Sequence, residues 1–238
     1  MSHLVEFKNN IFSIIDKISE TQTEQIECAA EIFKNTVKNK GIIYAIGSGH
    51  SFAGAIEFAG RAGGFVNTRA LDNFYGHSGW FENVEGVGDV FASLLDLQQH
   101  DAFVIISNSG NKALQVELAQ KLKSAGIKII AIVNRKDADK SIAKHSSGLK
   151  LADLADVVID NCCFKGDCSI EIPESELKIG PTSSLAVAYI ANCISIRATE
   201  LVCAAGISVP ILRSINQPGG NEYNLELLSE YRSRVFTI

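Results

Sequence analysis

Five short β-rich runs, Ile42–Ile46, Gly64–Leu71, Ala102–Ile106, Ile127–Val133 and Val157–Asp160, follow one another along the chain, most of them separated by segments long enough to be helices. Strands that are apolar along their whole length, rather than at every second position, have to be covered on both faces. Right-handed crossovers between such strands make a doubly wound parallel α/β sheet the leading architecture. Ahead of the sheet, residues 4–39 read as two amphipathic helices. Ile11, Ile14, Ile15 and Ile18 line one, Ile26, Ala29, Ala30, Phe33 and Val37 line the other, and polar Ser19–Thr23 separates them. With 238 residues and 46% apolar composition the chain can bury one good core. Its expected division is a helical start (1–40), an α/β core (41–205) and a tail of loop and helix (206–238).

In sheets of this kind ligands bind at the carboxyl ends of the strands, and two of those ends carry unusual residues. Gly47-Ser48-Gly49-His50-Ser51 follows the first run and Ser107-Asn108-Ser109-Gly110 follows the third. Each precedes a helix-like segment, so each turn presents backbone N–H groups and the positive end of a helix dipole, which together suit an anion. The glycines are not followed by Lys-Ser/Thr, as a triphosphate loop requires, and the third glycine of the dinucleotide fingerprint is missing. Serines in place of a lysine point to a small phosphorylated ligand. Gly180-Pro181-Thr182-Ser183-Ser184, opening the apolar stretch Leu185–Ala205, is a third and weaker candidate turn, since Pro and Ser/Thr are ordinary helix-start residues.

The charge of −5 and the absence of a Lys/Arg cluster argue against a nucleic-acid partner. No apolar run is expected to approach the roughly 20 residues that span a bilayer, and the start lacks a basic-then-apolar leader, so a cytoplasmic protein with no membrane partner is expected. Cys28, Cys193 and Cys203 fall in helix-like apolar stretches as small hydrophobes, while Cys162, Cys163 and Cys168 match zinc spacing poorly. Disulfides, metal and organic cofactor are therefore not expected. Two segments read as irregular, 72–88, with Phe74, Tyr75, Trp80 and Phe81 around His77 and Glu82, and 161–181; the first suits a lid or subunit contact. In the tail, Gly219-Gly220 with Glu222 reads either as a loop over a neighbouring site or as a plain turn.

Taken together these residues resemble the sugar isomerase (SIS) phosphosugar-binding domain family, with its strand then Gly-x-Gly-x-Ser and later strand then Ser-x-Ser-Gly. The likeness is closer still to a bacterial subfamily of stand-alone members of the UPF0309 type. It extends through Glu57, Arg61-Ala62-Gly63-Gly64, His145-Ser146-Ser147-Gly148, 155–161, Gly166-Asp167, Gly180 to Ser183 and the tail from Ser214 to Arg234, nearly the whole chain. The resemblance implies a flavodoxin-like three-layer αβα sandwich with a five-stranded parallel sheet. It also implies a homodimer or homotetramer binding a sugar phosphate between the two serine turns and a neighbouring subunit.

On that reading Gly47, Ser48, Gly49, His50, Ser51, Ser107, Asn108, Ser109, Gly110, Thr182 and Ser183 are the phosphosugar-binding candidates. Aldose–ketose isomerisation needs a base between adjacent carbons, for which Glu57, His77, Glu82 and Glu85 are candidates. Glu57 is equally well explained as the i,i+4 partner of Arg61. Phosphoheptose isomerases resemble this chain with a glutamate at the position of Arg61 and a late-helix histidine, whereas this chain has no histidine after His145. A non-catalytic sugar-phosphate sensor and a lyase or etherase on an amino-sugar phosphate remain as alternatives.

Overall fold

The computed structural model describes residues 2–47, 49–72 and 80–235. Helices α1 (His3–Thr21) and α2 (Thr23–Lys38) lead into strand β1 (Ile43–Gly47), a 3-10 turn Gly49–Ser51, α3 (Phe52–Phe58) and β2 (Thr68–Leu71). A second 3-10 turn, Phe81–Asn83, precedes α4 (Val87–Ser93) and β3 (Ala102–Ile106). Then come α5 (Ala113–Ser124), β4 (Lys128–Val133), α6 (Arg135–Ala138), α7 (Leu151–Leu154) and β5 (Val157–Asp160). A hairpin of β6 (Cys168–Glu171) and β7 (Lys178–Pro181) is followed by α8 (Ser183–Ala204), α9 (Gly220–Ser229) and α10 (Arg232–Val235).

The five main strands pair in the order β2-β1-β3-β4-β5, every pair parallel. This is the expected five-stranded, doubly wound sheet. Because successive side chains on a strand point to opposite faces, the all-apolar strands divide their residues between two cores. Ile43, Ala45, Val104, Ile106, Ile130 and Ile132 pack with α1, α2, α3 and α8. Tyr44, Ile46, Phe103, Ile105, Ile129 and Ala131 pack with α4, α5 and α7. Phe33 of α2 is the hub of the first layer, meeting Phe58 at 5.9 Å and Phe65 at 6.2 Å between ring centroids, both edge-on.

Several boundaries differ from the sequence reading. The break between the two N-terminal helices does fall within polar 19–23, at Gln22, and the hydroxyls of Ser19, Thr21 and Thr23 there each bond the carbonyl four residues back. The second run shrinks to Thr68–Leu71 because its first part pairs with the tail instead: Val66 N–H bonds Pro210 and Leu212 N–H bonds Gly64. Residues 161–181 are not irregular throughout, since they contain the β6–β7 hairpin. Cys28 and Cys203 are exposed rather than packed inside, and the buried thiols are Cys162 and Cys163, the latter pushed up to about 12 by burial.

The expectation of no bilayer-length apolar run is also corrected. At 22 residues α8 is long and apolar enough to qualify by length and composition, although here it lies against α2 and α3 with Val187, Ile190 and Ile194 buried. In the tail, Gly219-Gly220 is a turn into α9, which is tied back by Asn224 bonding both backbone groups of Arg213.

Candidate functional site

Strands β1 and β3 are neighbours, yet the chain leaves them toward opposite faces: α3 belongs to the first core and α5 to the second. The crevice that opens between two such strand ends is the site where open α/β sheets hold ligands. Both serine turns sit there. A cavity of about 650 Å³ lies over them, lined by Ser51 from the first turn and by Ser107, Asn108, Ser109 and Lys112 from the second. Asp137 and Ser141, which follow β4, and Lys165, Gly166 and Lys178, around the hairpin, close its far side.

The second turn is stiff. Gly110 takes the left-handed φ of 59° that returns the chain toward α5, and its N–H donates to the buried Ser107 hydroxyl at 3.2 Å. Asn108 Oδ1 accepts from Asn161 at 2.8 Å, which leaves the Ser109 hydroxyl, bonded to Asn111 at 2.8 Å, facing the cavity. In the first turn Gly47 has no room for a side chain against the Ser51 carbonyl, and the Gly49 N–H donates to Glu82 Oε1 at 3.2 Å. His50 is exposed, with Nδ1 3.4 Å from the Ser184 hydroxyl.

Glu82 is the carboxylate that the fold brings to these turns. It is fully buried, and its second oxygen accepts from Lys112 Nζ at 2.6 Å, so one side chain links the first turn to the start of α5. The other acidic candidates lie elsewhere. Glu57, near the end of α3, is partly exposed and paired with Arg61; neither it nor Glu82 lines the cavity itself, but Glu82 bonds Lys112, which does. Glu85 is exposed and bonded to the Ser146 hydroxyl and N–H, both at 2.6 Å. Ser48 and His77 lie outside the described residues.

At the third turn the helix start is capped from within the chain. The Asp167 carboxylate already fills the start of α8, accepting from Thr182 N–H at 2.9 Å, Ser183 N–H at 2.7 Å and the Ser183 hydroxyl at 2.8 Å. A protein carboxylate thus stands where a bound anion would, and Thr182 and Ser183 are not assigned to a ligand below.

Three cationic residues of the cavity went unforeseen. Lys112 could have been noticed, because it follows Gly110 by two residues at the mouth of a helix. Lys178 comes from the hairpin and Lys165 from the segment just before it, and their place at the cavity is set by tertiary packing that leaves no local signal. Glu85 also supports a solution prediction. The Ser146 hydroxyl, and after it the Ser146 N–H, hold the Glu85 carboxyl below its ordinary value of 4.5. A depressed carboxyl stabilises the fold above the unfolded-state value and loses that contribution as pH falls through the folded one. In a carbon-detected NMR titration Glu85 and the Ser146 amide should therefore share a midpoint below the ordinary glutamate range; a midpoint at or above it would contradict the bond.

A family model described as SIS domain matches residues 6–134, more than half of the chain and both serine turns. Another, described as a domain of unknown function (DUF2529), matches residues 81–202. A UPF0309 protein of Listeria monocytogenes is 36% identical over 223 residues, covering 94% of each chain. One from Halalkalibacterium halodurans is 33% identical, covering 92% of this chain and 93% of its own. Among solved structures, a phosphoheptose isomerase from Neisseria gonorrhoeae superposes with a TM-score of 0.55 at 21% identity, covering 81% of this chain and 97% of that one. The Escherichia coli CFT073 protein c3406, in complex with a phosphosugar, superposes at 0.53 with 18% identity, covering 84% and 89%. A parallel αβα sheet with paired serine turns at its switch point is the frame of a SIS domain, and this chain belongs to that family. Its full-length relatives are the UPF0309 proteins.

Proposed function

We propose that this chain binds a phosphorylated sugar over the second serine turn and interconverts its aldose and ketose forms, with Glu82 as the base. The observation that carries the reading is the buried Glu82 carboxylate, held by Gly49 and by Lys112, so that it lies behind the wall of a cavity that displays Ser51, Ser109 and three lysines. The phosphate would lie at Ser107 to Gly110 and the start of α5, with Lys165 as a further cation. The base removes the proton from the carbon beside the carbonyl as the carbonyl oxygen gains one, giving an enediol. The proton then returns to the neighbouring carbon while the adjacent hydroxyl loses its own, so one carbon is reduced as the other is oxidised. The phosphosugar complex of the E. coli neighbour and the neisserial phosphoheptose isomerase support a phosphosugar as the ligand class.

We place the protein in the cytoplasm as a homo-oligomer. Exposed Ile56 on α3 and Leu185 and Ile196 on α8, two helices that pack together, leave an apolar face suited to a second copy.

The test is calorimetric titration of hexose, heptose and amino-sugar phosphates and their dephosphorylated forms, followed by assay of ketose formation. Binding that requires the phosphate, and turnover of one member, are expected. Phosphate-independent binding would defeat the reading, and binding without turnover would convert it to a sensor. Ser109→Ala should weaken phosphosugar binding by about 1.5–3 kcal/mol, on the order of 10- to 100-fold in Kd, as expected for one hydroxyl bonded to a charged group. An unchanged Kd would remove that hydroxyl from the site.

A further inference from the structure

The stretch that delivers Glu82 to the site has little regular structure of its own. Among the described residues from 80 to 86 it holds one 3-10 turn, and Trp80, Phe81 and Val84 are exposed. It is fixed instead by polar anchors. Glu82 itself reaches Gly49 and Lys112. Further along, Glu117 of α5 accepts from the Gly86 N–H through Oε1 at 2.5 Å and from the Gly88 N–H through Oε2 at 2.7 Å. One helix thus grips the stretch twice, through Lys112 at its cap and through Glu117 on its second turn.

The Glu117 grip has the marks of a built device. Its side chain is only 7% exposed, and a carboxylate taken from water needs compensating donors, here two N–H groups, with the His145 ring beside it, Nε2 lying 3.4 Å from Oε1. A Cβ at Gly88 would lie 2.5 Å from the Glu117 Cβ and 2.7 Å from the Leu114 carbonyl, so the backbone rests directly on α5. Glu85 adds a tether from the same stretch to Ser146, next to His145.

We propose that Glu117, backed by His145, is the positioning residue for Glu82. By clamping Gly86 and Gly88 it sets the height and direction at which the stretch presents Glu82 to the two turns. The proposal rests on the assignment of Glu82 as the base, but its structural half can be tested without any substrate. Neither Glu117 nor His145 contacts the reacting atoms; both act through the backbone.

The experiment is amide hydrogen exchange by NMR on the unliganded full-length protein, comparing wild type, Glu117→Gln and Glu82→Gln. Glutamine offers one acceptor oxygen where two N–H groups are held, so Gly86 and Gly88 should exchange faster in the first variant. The deciding amide is Gly49, which bonds Glu82 and not Glu117. Positioning predicts that Gly49 exchange rises about tenfold or more in Glu117→Gln, as local opening spreads along the stretch. In Glu82→Gln, Gly49 should rise while Gly86 and Gly88 stay as in wild type. A Gly49 rate unchanged by Glu117→Gln overturns the proposal and leaves Glu117 as a fastener between α4 and α5. If that variant does not fold, His145→Gln keeps the carboxylate and is read in the same way, with a smaller rise. Once a turned-over sugar is in hand, Glu117→Gln should lower kcat roughly 10- to 100-fold with KM little changed, because misplacement of a base by about 1 Å costs turnover rather than affinity. Unaltered kcat would equally overturn the proposal. Wild-type protein with no turnover at all would defeat the assignment of Glu82 while leaving the Gly49 result to decide the clamp.

Discussion

Replacing Glu82 with glutamine should reduce interconversion of the sugar phosphate by about 10²–10⁴-fold, the range over which a positioned general base contributes. Its Kd for the same ligand should stay within about threefold, since the group acts in the transition state more than in the ground state. The expectation follows from geometry: Glu82 is the candidate carboxylate placed between the two turns, whereas Glu57 is engaged with Arg61 and Glu85 with Ser146. Glutamine is nearly isosteric, accepts from Gly49 more weakly through its one neutral oxygen, and lets Lys112, about a quarter exposed, turn toward water. The variant should therefore fold. Glu57→Gln under the same assay should retain most activity. Full activity in Glu82→Gln together with loss in Glu57→Gln would reverse the assignment.

The second large effect concerns the scaffold. Phe33→Ala should destabilise the protein by about 3–5 kcal/mol, the usual result of emptying a buried aromatic site. Phe33 is 1% exposed and meets two other rings edge-on, so the neighbours cannot collapse into the vacancy without giving up contacts of their own. In a domain of this size the loss corresponds to a fall in Tm of roughly 6–20 °C. The consequence reaches the site, because Phe58 ends α3, whose other end carries the first serine turn. Thermal unfolding followed by circular dichroism measures it; a shift of under about 2 °C would mean that the layer repacks and that Phe33 is not its hub.

Much of the sheet was legible because its strands are buried on both faces, so continuous apolar runs such as Ala102–Ile106 carry the signal by themselves. The place of the serine turns was legible for a related reason: glycines and hydroxyls directly after a continuous apolar run mark where a strand ends and a helix begins, between β1 and α3 and between β3 and α5. What escaped depends on long-range placement. Asp167 reaches the start of α8 from fifteen residues before Thr182, through a residue with the unusual φ of 72°, and no periodicity announces such a cap. Lys165 and Lys178 reach the cavity only because the hairpin folds over the strand ends. Glu57 drew attention by its nearness in sequence to the first turn. Glu82 lies much further along the chain and is brought beside Gly49 by the fold. Glu57 sits near the far end of α3, paired with Arg61, so nearness in sequence to the first turn does not by itself bring its carboxylate to the cavity wall.

Proton NMR in deuterated water shows whether the buried carboxylate between the two serine turns moves a proton on a phosphosugar. Wild-type protein is incubated with each hexose, heptose and amino-sugar phosphate, and deuterium is sought at the carbon beside the carbonyl. Incorporation into one sugar class is expected with wild type, and its near-complete loss in Glu82→Gln that still binds the sugar. Incorporation at the wild-type rate in Glu82→Gln, or ligand binding to wild type with no incorporation into any sugar, would contradict it.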